Sequence, residues 1–317
     1  MTYRRLGDSG LVVSTVGLGG NTFGARIDAD ATRDVVHAAL DAGVTFVDCA
    51  ELYGSTPGES EDLLGRALVG RRDGTVLATK FGHPDGRVDA PAWDDAHGSR
   101  TAVRRAVEGS LRRLRTDWID LYQMHTPDPA TPVEETLSTL DDLVREGKVR
   151  YVGSSNFAAW QVVDADRAAE SLGTERFVSA QNAYNLLDRS AEAELVPACE
   201  HVGVGLLPYY PLASGLLTGK YSRGQAAPEG SRLSSPRMAA RLEGADWDTI
   251  EALTRFAEER DLDLLTVALG GLAAQPAVGS VIAGARTPAQ VRANVRAGLW
   301  EPTAADLAEL EDISGRP

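Results

Sequence analysis

Short apolar segments recur along this chain at the spacing of one strand-and-helix unit. Except for the last interval, successive segments begin about 26 to 43 residues apart, which leaves room for a strand, a crossover helix and two connections. The segments begin near Val16, Thr45, Val76, Ile119, Val149, Val178, Val204 and Val278. A chain that repeats such a unit builds a parallel sheet covered by helices.

Amphipathic patterns fill the intervals between these strands. The predicted helices are Ala31–Ala42, Ser60–Leu68, Arg100–Arg115, Pro132–Glu146, Phe157–Ser171, Glu192–His201, Trp247–Arg260, Leu264–Ala274 and Thr303–Ile313. Eight strands alternating with helices, without a break in composition, predict an α/β fold: a single (β/α)8 TIM barrel over residues 1–317. A doubly wound open sheet is the alternative. It needs a Gly-rich dinucleotide turn after its first strand, and Thr22 stands where that motif has its third Gly or Ala.

Two segments fall outside the repeat. Tyr3–Leu6 and Leu11–Ser14 flank a Gly-rich turn and predict an N-terminal β-hairpin. After the seventh strand, the polar segment Leu217–Glu243 is rich in Gly, Pro, Ser and Arg and shows little periodicity. We expect a long loop here, serving as a lid or a ligand clasp at the barrel mouth.

Charge and composition exclude several kinds of partner. The chain has 32 Lys and Arg against 46 Asp and Glu, a formal net charge of −14, which disfavours binding to nucleic acid or to an anionic membrane. Any phosphate-bearing ligand therefore needs a local basic pocket. Cys49 and Cys199 have neither zinc-site nor disulfide spacing, so we expect buried thiols and no metal site.

The apolar segment Leu264–Ala285 is the longest candidate for a membrane span. Gly270, Gly271, Gln275 and Pro276 interrupt it, so a buried helix followed by a strand fits better. No apolar region of a signal peptide follows the first residues. We expect a cytoplasmic protein, and no sequence feature indicates its oligomeric state.

Four polar side chains stand where predicted strands end and loops begin: Asp48, Tyr53, Lys80 and His125. In a barrel the carboxyl ends of the strands meet at one mouth, so we expect these side chains to converge there. An ammonium beside a phenol stabilises the phenolate, so Lys80 is predicted to lower the pKa of Tyr53 toward the working range. Asp48 would hold Lys80 charged, and His125 would orient a substrate carbonyl. A proton donor without a nucleophile calls for an external reductant that delivers hydride.

The chain resembles an aldo-keto reductase from the N-terminal hairpin to the last helix. Six segments carry the resemblance, and they occur in the same order as in that family. They are Asp48–Gly54 (DCAELYG), Thr79–Lys80 (TK), Leu121–His125 (LYQMH), Gly153–Phe157 (GSSNF), Gln181–Asn185 (QNAYN) and Tyr209–Lys220 (YYPLASGLLTGK). The resemblance implies that Tyr53 is the general acid, that Asp48 and Lys80 tune it, and that His125 positions the carbonyl.

The resemblance also implies a nicotinamide cofactor, with NADP favoured over NAD. It places Ser155, Asn156 and Gln181 at the carboxamide, Tyr209 against the ring and Arg286 at the 2′-phosphate. Arg286 also precedes a helix N-terminus, which is an anion site on physical grounds alone. The full set of implied cofactor residues is Gly20, Asn21, Ser155, Asn156, Gln181, Tyr209, Pro211, Leu212, Ser214, Gly215, Lys220, Gly284, Arg286, Gln290 and Asn294.

The expected partner is a small carbonyl substrate, and its identity is left open. Phe23, His83 and Trp93, in loops at the predicted mouth, are candidates to line its pocket. Two other functions stay open. One is a cofactor-binding regulatory module like the channel-associated β subunits of this family, although those resemble this site with the histidine exchanged. The other is a reductase of an NDP-sugar or an enone.

Overall fold

A short hairpin begins the chain, as predicted. The computed structural model describes residues 1–86, 88 and 95–315, with Arg237 described by its backbone alone; the predicted substrate residue Trp93 lies outside these ranges. Strands β1 (Tyr3–Arg5) and β2 (Val12–Ser14) pair antiparallel. Leu6, Leu11 and Val13 pack against buried side chains at the floor of the sheet. The hairpin therefore covers the amino-terminal end of the strands.

Eight parallel strands form the centre of the fold and confirm the predicted barrel. They are β3 (Val16–Gly19), β4 (Phe46–Asp48), β5 (Val76–Phe81), β6 (Ile119–Met124), β7 (Val149–Ser155), β8 (Phe177–Gln181), β9 (Gly205–Leu206) and β10 (Val281–Gly284). Their order is β10-β3-β4-β5-β6-β7-β8-β9, so β3 to β9 pair with their neighbours in sequence and β10, the last strand, pairs with β3. The ends close where the amide of Leu206 donates to the carbonyl of Ala277 over 2.7 Å and that of Gly279 to Leu206 over 2.8 Å.

Helices cover the outside of the barrel in the intervals that the sequence predicts. They are α1 (Ala29–Asp41), α2 (Glu59–Ala67), α3 (Arg100–Leu114), α4 (Val133–Arg145), α5 (Ala159–Leu172), α6 (Leu195–Val202), α7 (Pro236–Glu243), α8 (Trp247–Glu258), α9 (Leu264–Ala273), α10 (Pro288–Ala297) and α11 (Ala304–Ser314). Several begin at side-chain caps, such as Asp28, whose carboxylate accepts from the amide of Ala31. The buried faces of α1 to α6 and of α10 join those of the strands in the main apolar core, whereas those of α8 and α11 belong to a second apolar cluster.

The long loop predicted after the seventh strand is present after β9, and it contains secondary structure of its own. It contains a 3-10 turn at Arg232–Ser234 and then helix α7. The sequence signal for α7 is a Pro at the first helical position, where the missing amide has no cost. Leu217, Tyr221 and Leu233 from this segment are buried in a second apolar cluster with α8 and α9. The segment is thus anchored to the barrel and not a free loop.

The apolar segment near the C-terminus is divided as predicted. Helix α9 and strand β10 occupy it, separated by a turn after Gln275. No helix in the described ranges combines the length and the apolar character needed to cross a membrane. Cys49 and Cys199 are free and buried, as expected.

Candidate active site

The structure brings the four predicted polar side chains together at the carboxyl ends of three neighbouring strands. Asp48 ends β4, Lys80 lies near the end of β5, and His125 follows β6 directly. Tyr53 reaches them from the loop after β4. Because β4, β5 and β6 are adjacent in the sheet, residues far apart in sequence meet here.

Lys80 and Asp48 form a buried ion pair behind the mouth. Lys80 Nζ lies 2.6 Å from Asp48 Oδ2 and also donates to the carbonyl of Cys49 over 2.8 Å. The Lys80 side chain has no exposed surface. Burial alone would lower the pKa of Lys80, but the charge of Asp48 and the neighbouring Tyr53 raise it above its usual value. Lys80 is therefore held as a cation.

The second oxygen of Asp48 is saturated by two amides. Gln123 Nε2 donates to Asp48 Oδ1 over 3.1 Å, and Gln181 Nε2 donates to the same oxygen over 3.0 Å. These bonds fix the carboxylate, which in turn fixes Lys80. Sequence reasoning missed Gln123; its signal was a polar side chain within the buried strand β6. Since the Gln181 amide nitrogen is engaged here, its Oε1 is the atom left to meet a ligand.

The pKa of Tyr53 shifts in the direction opposite to the prediction. Lys80 Nζ lies 5.0 Å from the centre of the Tyr53 ring and lowers the pKa of the phenol. Burial outweighs this effect and raises the pKa of Tyr53 to about 12, because a phenolate loses its hydration inside the protein. The charge of Lys80 is also largely offset by Asp48. The phenol is therefore protonated at neutral pH.

His125 is neutral and mostly buried. Burial, together with the nearby charge of Lys80 and the neighbouring His83, lowers the pKa of His125 to about 2. Its ring lies edge-on to that of Tyr53, with centroids 5.8 Å apart. Its Nδ1 is sealed from solvent and has no hydrogen-bond partner among the described residues, so Nε2 is the nitrogen that can meet a ligand.

The low pKa of His125 makes a testable prediction. We expect its ring resonances not to titrate near pH 6.5, where a free imidazole does. NMR spectra recorded over that range can be assigned by comparison with His125→Gln. The low pKa also makes the free energy of unfolding depend on pH. Below about pH 6.5 the unfolded chain takes up a proton at His125 and the folded chain does not, so the free energy of unfolding decreases toward acid. A His125 signal that titrates normally in the folded protein would contradict this account.

A cavity of about 710 Å³ opens beside these residues and extends away from them. Tyr53, His83 and His125 lie on its wall, with Asp48 behind them. Fourteen of the fifteen residues expected to hold the cofactor also line it: Asn21, Ser155, Asn156, Gln181, Tyr209, Pro211, Leu212, Ser214, Gly215, Lys220, Gly284, Arg286, Gln290 and Asn294.

Three of the predicted site residues that the structure describes are not on the cavity wall. Gly20 contributes backbone only: its amide donates to the carbonyl of Asp48 over 2.8 Å. Lys80 is buried behind the wall, where it pairs with Asp48. Phe23 has no exposed surface and belongs to the apolar core. A fully buried ring has no surface for a substrate, so the structure argues against the substrate role predicted for Phe23.

The residues expected at the carboxamide are tied to one another. Tyr209 donates from its hydroxyl to Asn156 Oδ1 over 2.7 Å, and Ser155 Oγ donates to the carbonyl of Gln181 over 2.8 Å. Asn156 Nδ2 donates to the carbonyl of His125 over 2.9 Å. Asn156 takes a left-handed backbone conformation (φ 60°), which asparagine tolerates better than most residues. This network joins His125 to the part of the wall that Ser155, Asn156, Gln181 and Tyr209 form.

The segment after β9 has an unusual backbone. Tyr210, Ala213 and Ser214 all have positive φ angles (54°, 46° and 62°), a conformation that costs a residue with a side chain about 1–3 kcal/mol. Hydrogen bonds such as Gly215 amide to Leu212 carbonyl, at 2.7 Å, hold the turn. Arg241 of α7 donates to Ser214 Oγ over 3.1 Å. Successive tight turns of this kind make backbone concavities that suit anions.

Four basic side chains line the cavity despite the acidity of the chain: Arg26, Lys220, Arg232 and Arg286. None has a carboxylate partner within 4.0 Å in the described ranges, whereas Asp48, the one carboxylate on the wall, is paired with Lys80. The sequence predicts Lys220 and Arg286 but misses Arg26 and Arg232. Their only signal was a basic residue in a loop at the mouth. The cavity is thus locally positive in a chain of formal net charge −14.

The far end of the cavity lies at the start of α10. The backbone amide of Arg286 donates to Gln290 Oε1 over 2.8 Å, and its guanidinium donates to the carbonyl of Gly230 over 3.1 Å. Thr287 caps the helix by accepting from the amide of Gln290. A helix N-terminus beside a guanidinium favours a bound anion.

Comparison with known proteins gives a consistent result. A sequence model described as the Aldo/keto reductase family matches residues 15–314. The chain is 37% identical to YrpG, an uncharacterized oxidoreductase of Bacillus subtilis, over 100% of this chain and 97% of the relative. It is 33% identical to the aldo-keto reductase YhdN of the same bacterium, covering 99% of this chain and 93% of the relative. It is also 34% identical to a probable voltage-gated potassium channel subunit beta of Arabidopsis thaliana, covering 94% and 91%.

Proposed function

The chain belongs to the aldo/keto reductase family of oxidoreductases, and from that premise we propose that it reduces an aldehyde or a ketone to an alcohol with NADPH. The observation that carries this proposal is the arrangement of Tyr53 and His125 on one wall, with Lys80 buried behind it. A protonated phenol and a neutral imidazole face the cavity, and a buried cation supports them. This arrangement serves proton donation to an oxygen atom that is gaining negative charge.

Each residue of this wall has a distinct part in the proposed reaction. A bound nicotinamide cofactor supplies the hydride to the carbonyl carbon. Tyr53 gives its phenolic proton to the carbonyl oxygen, and Lys80 stabilises the phenolate that remains. His125, with its proton on Nε2, donates a hydrogen bond that orients the same oxygen. Asp48 and the two glutamines bonded to it hold Lys80 in place.

The cavity supports a dinucleotide cofactor in size and in charge. Its volume of about 710 Å³ is within the range of about 300–1,000 Å³ typical of small-molecule sites. Asp48, Tyr53, Lys80 and His125 lie at one end of the cavity. The loop after β9, with its basic side chains, and the start of α10 continue the wall. Four cations that have no carboxylate partner among the described residues suit a pyrophosphate and a third phosphate group. We therefore propose NADP(H), with Arg286 at the 2′-phosphate.

Replacing Arg286 with alanine tests the choice of cofactor. We expect NADPH affinity to fall roughly tenfold to a hundredfold more than NADH affinity, because a charge-assisted hydrogen bond to phosphate is lost. Fluorescence titration with both cofactors measures the difference. Arg167→Ala is the matched control, since Arg167 is exposed on α5 and its substitution removes the same charge. Equal losses for both cofactors would show that Arg286 does not contact the 2′-phosphate.

An assay of the purified protein with NADPH and a panel of aldehydes and ketones tests the reaction itself. Consumption of NADPH that yields the alcohol is the expected result. Tight NADPH binding without turnover across the panel would favour the second candidate, a regulatory module. That candidate is supported by the similarity to the channel subunit of Arabidopsis thaliana. Product analysis distinguishes carbonyl reduction from reduction of an NDP-sugar or an enone.

A further inference from the structure

A second histidine stands beside His125 on the cavity wall. His83, in the loop after β5, has its ring centroid 5.1 Å from that of His125, at an interplanar angle of 65°. Tyr53, His125 and His83 therefore form a row of three rings along the cavity wall. The first two have roles in the proposed proton transfer. His83 has none.

The hydrogen bonding of His83 fixes the position of its proton. The backbone amide of Asp85 donates to His83 Nδ1 over 3.2 Å, so Nδ1 is an acceptor. Burial lowers the pKa of His83 and outweighs the opposing effect of the Asp85 carboxylate, 4.0 Å from Nδ1, so the ring is neutral at neutral pH. A neutral imidazole whose Nδ1 accepts carries its proton on Nε2. Within the described ranges, His83 Nε2 has no hydrogen-bond partner.

We propose that His83 is a specificity-determining residue whose Nε2–H binds a second oxygen atom of the substrate, on the carbon next to the reacting carbonyl. The proposal rests on the proposed function, because it assumes that Tyr53 and His125 bind the carbonyl oxygen. The Nε2–H of His83, whose ring lies next to His125 on the wall, then faces the group bonded to the carbon adjacent to the carbonyl. The geometry selects an oxygen there, since an apolar group would leave the Nε2–H without a partner.

The substrate class that follows is a carbonyl compound with an oxygen on the adjacent carbon, either a hydroxyl or a second carbonyl. A single hydrogen bond can give strong selection between substrates, because a site built to donate that bond rejects an analogue that lacks the acceptor. No carboxylate on the described wall opposes such a group, because Asp48 is already paired with Lys80. Both of the acceptable neighbouring groups, the hydroxyl and the carbonyl, can accept from Nε2–H.

Lactaldehyde and propanal form a matched pair of substrates for the test, since they differ only in the hydroxyl group. The measured quantity is the ratio of kcat/KM for lactaldehyde to that for propanal. His83→Phe keeps a ring and removes the donor, and we expect the ratio to fall about tenfold. Intrinsic differences in reactivity between the two aldehydes cancel, because they are the same for both proteins.

A second variant separates hydrogen bonding from loss of structure. The amide nitrogen of glutamine takes about the position of imidazole Nε2, so His83→Gln should restore most of the ratio. A ratio unchanged in His83→Phe, or equally low in both variants, would overturn the proposal. Failure of the proposed function gives a different result: the wild-type protein would then reduce neither aldehyde, nor any other carbonyl in the panel.

Discussion

Tyr53→Phe is expected to lose reductase activity by roughly a hundredfold to ten-thousandfold, the range that a positioned general acid contributes. The substitution removes one oxygen atom and keeps the ring that lies beside Lys80 and His125. His125 and His83 do not replace Tyr53 as an acid at neutral pH, because burial lowers the pKa of each imidazolium and leaves both rings neutral. Steady-state reduction of an aldehyde measures the loss.

NADPH binding is the control for this variant. The residues proposed to hold the cofactor do not depend on the phenolic oxygen, so the Kd of NADPH should change less than about twofold, the size of a surface substitution effect. Substantial residual turnover in Tyr53→Phe, with a normal Kd, would exclude Tyr53 as the acid. A large loss of NADPH affinity would instead mean that the substitution disturbs the cavity.

Lys80→Met is expected to abolish activity and also to destabilise the fold by about 3–5 kcal/mol, because it leaves Asp48 as a buried charge without its partner. Lys80 has no exposed surface, and Asp48 is almost as fully buried. Activity is lost because the phenolate of Tyr53 is then formed without a neighbouring cation. Denaturant unfolding measures the stability, and the aldehyde assay measures the activity.

The double variant Asp48→Asn with Lys80→Met separates these two effects. Removing both charges leaves no buried ion, so we expect stability to recover most of the loss. Activity should not recover, since the cation beside Tyr53 is still missing. Recovery of activity in the double variant would show that Lys80 acts only by neutralising Asp48.

The ion pair also predicts a dependence of stability on pH. The folded pKa of Lys80 is raised above that of a free lysine, so its contribution is complete below about pH 10.4 and is lost as pH rises through the folded value. Tyr53, whose pKa is raised to about 12, acts in the same direction. Wild-type stability should therefore decline in alkali, and the double variant should lack the part of this decline due to Lys80.

Local sequence patterns predicted the architecture well, and they also predicted that Asp48, Tyr53, Lys80 and His125 meet at the barrel mouth. Both predictions depend only on residues that are close together in the sequence. Apolar periodicity indicates the strands and helices. A polar residue at the carboxyl end of a parallel strand in a barrel lies at the mouth, because all of these ends meet there. Asp48, Lys80 and His125 were located in this way. Helix α7 was missed because it has only eight residues, too few for the spacing of Met238 and Leu242 to stand out, and these two side chains pack against the second apolar cluster.

The errors at the site came from packing between distant parts of the chain. Phe23 was expected at the mouth, but the β3–α1 loop buries it completely. Arg26 and Arg232 come from loops about 200 residues apart in sequence, and nothing in either loop alone indicates a shared cavity. Gln123 was hidden within a buried strand.

The sequence by itself determined the order of strands and helices, the residues at the strand ends and the chemistry that those residues can perform. Only the tertiary structure decided the direction of the pKa shift of Tyr53, because the effect of burial exceeds the opposing effect of Lys80 and keeps the phenol protonated. It also decided that His83 stands beside His125, with no hydrogen-bond partner for its Nε2 among the described residues. The physical reason is that periodicity is a property of neighbouring residues, whereas desolvation and the field in a cavity are sums over groups that meet only when the barrel closes.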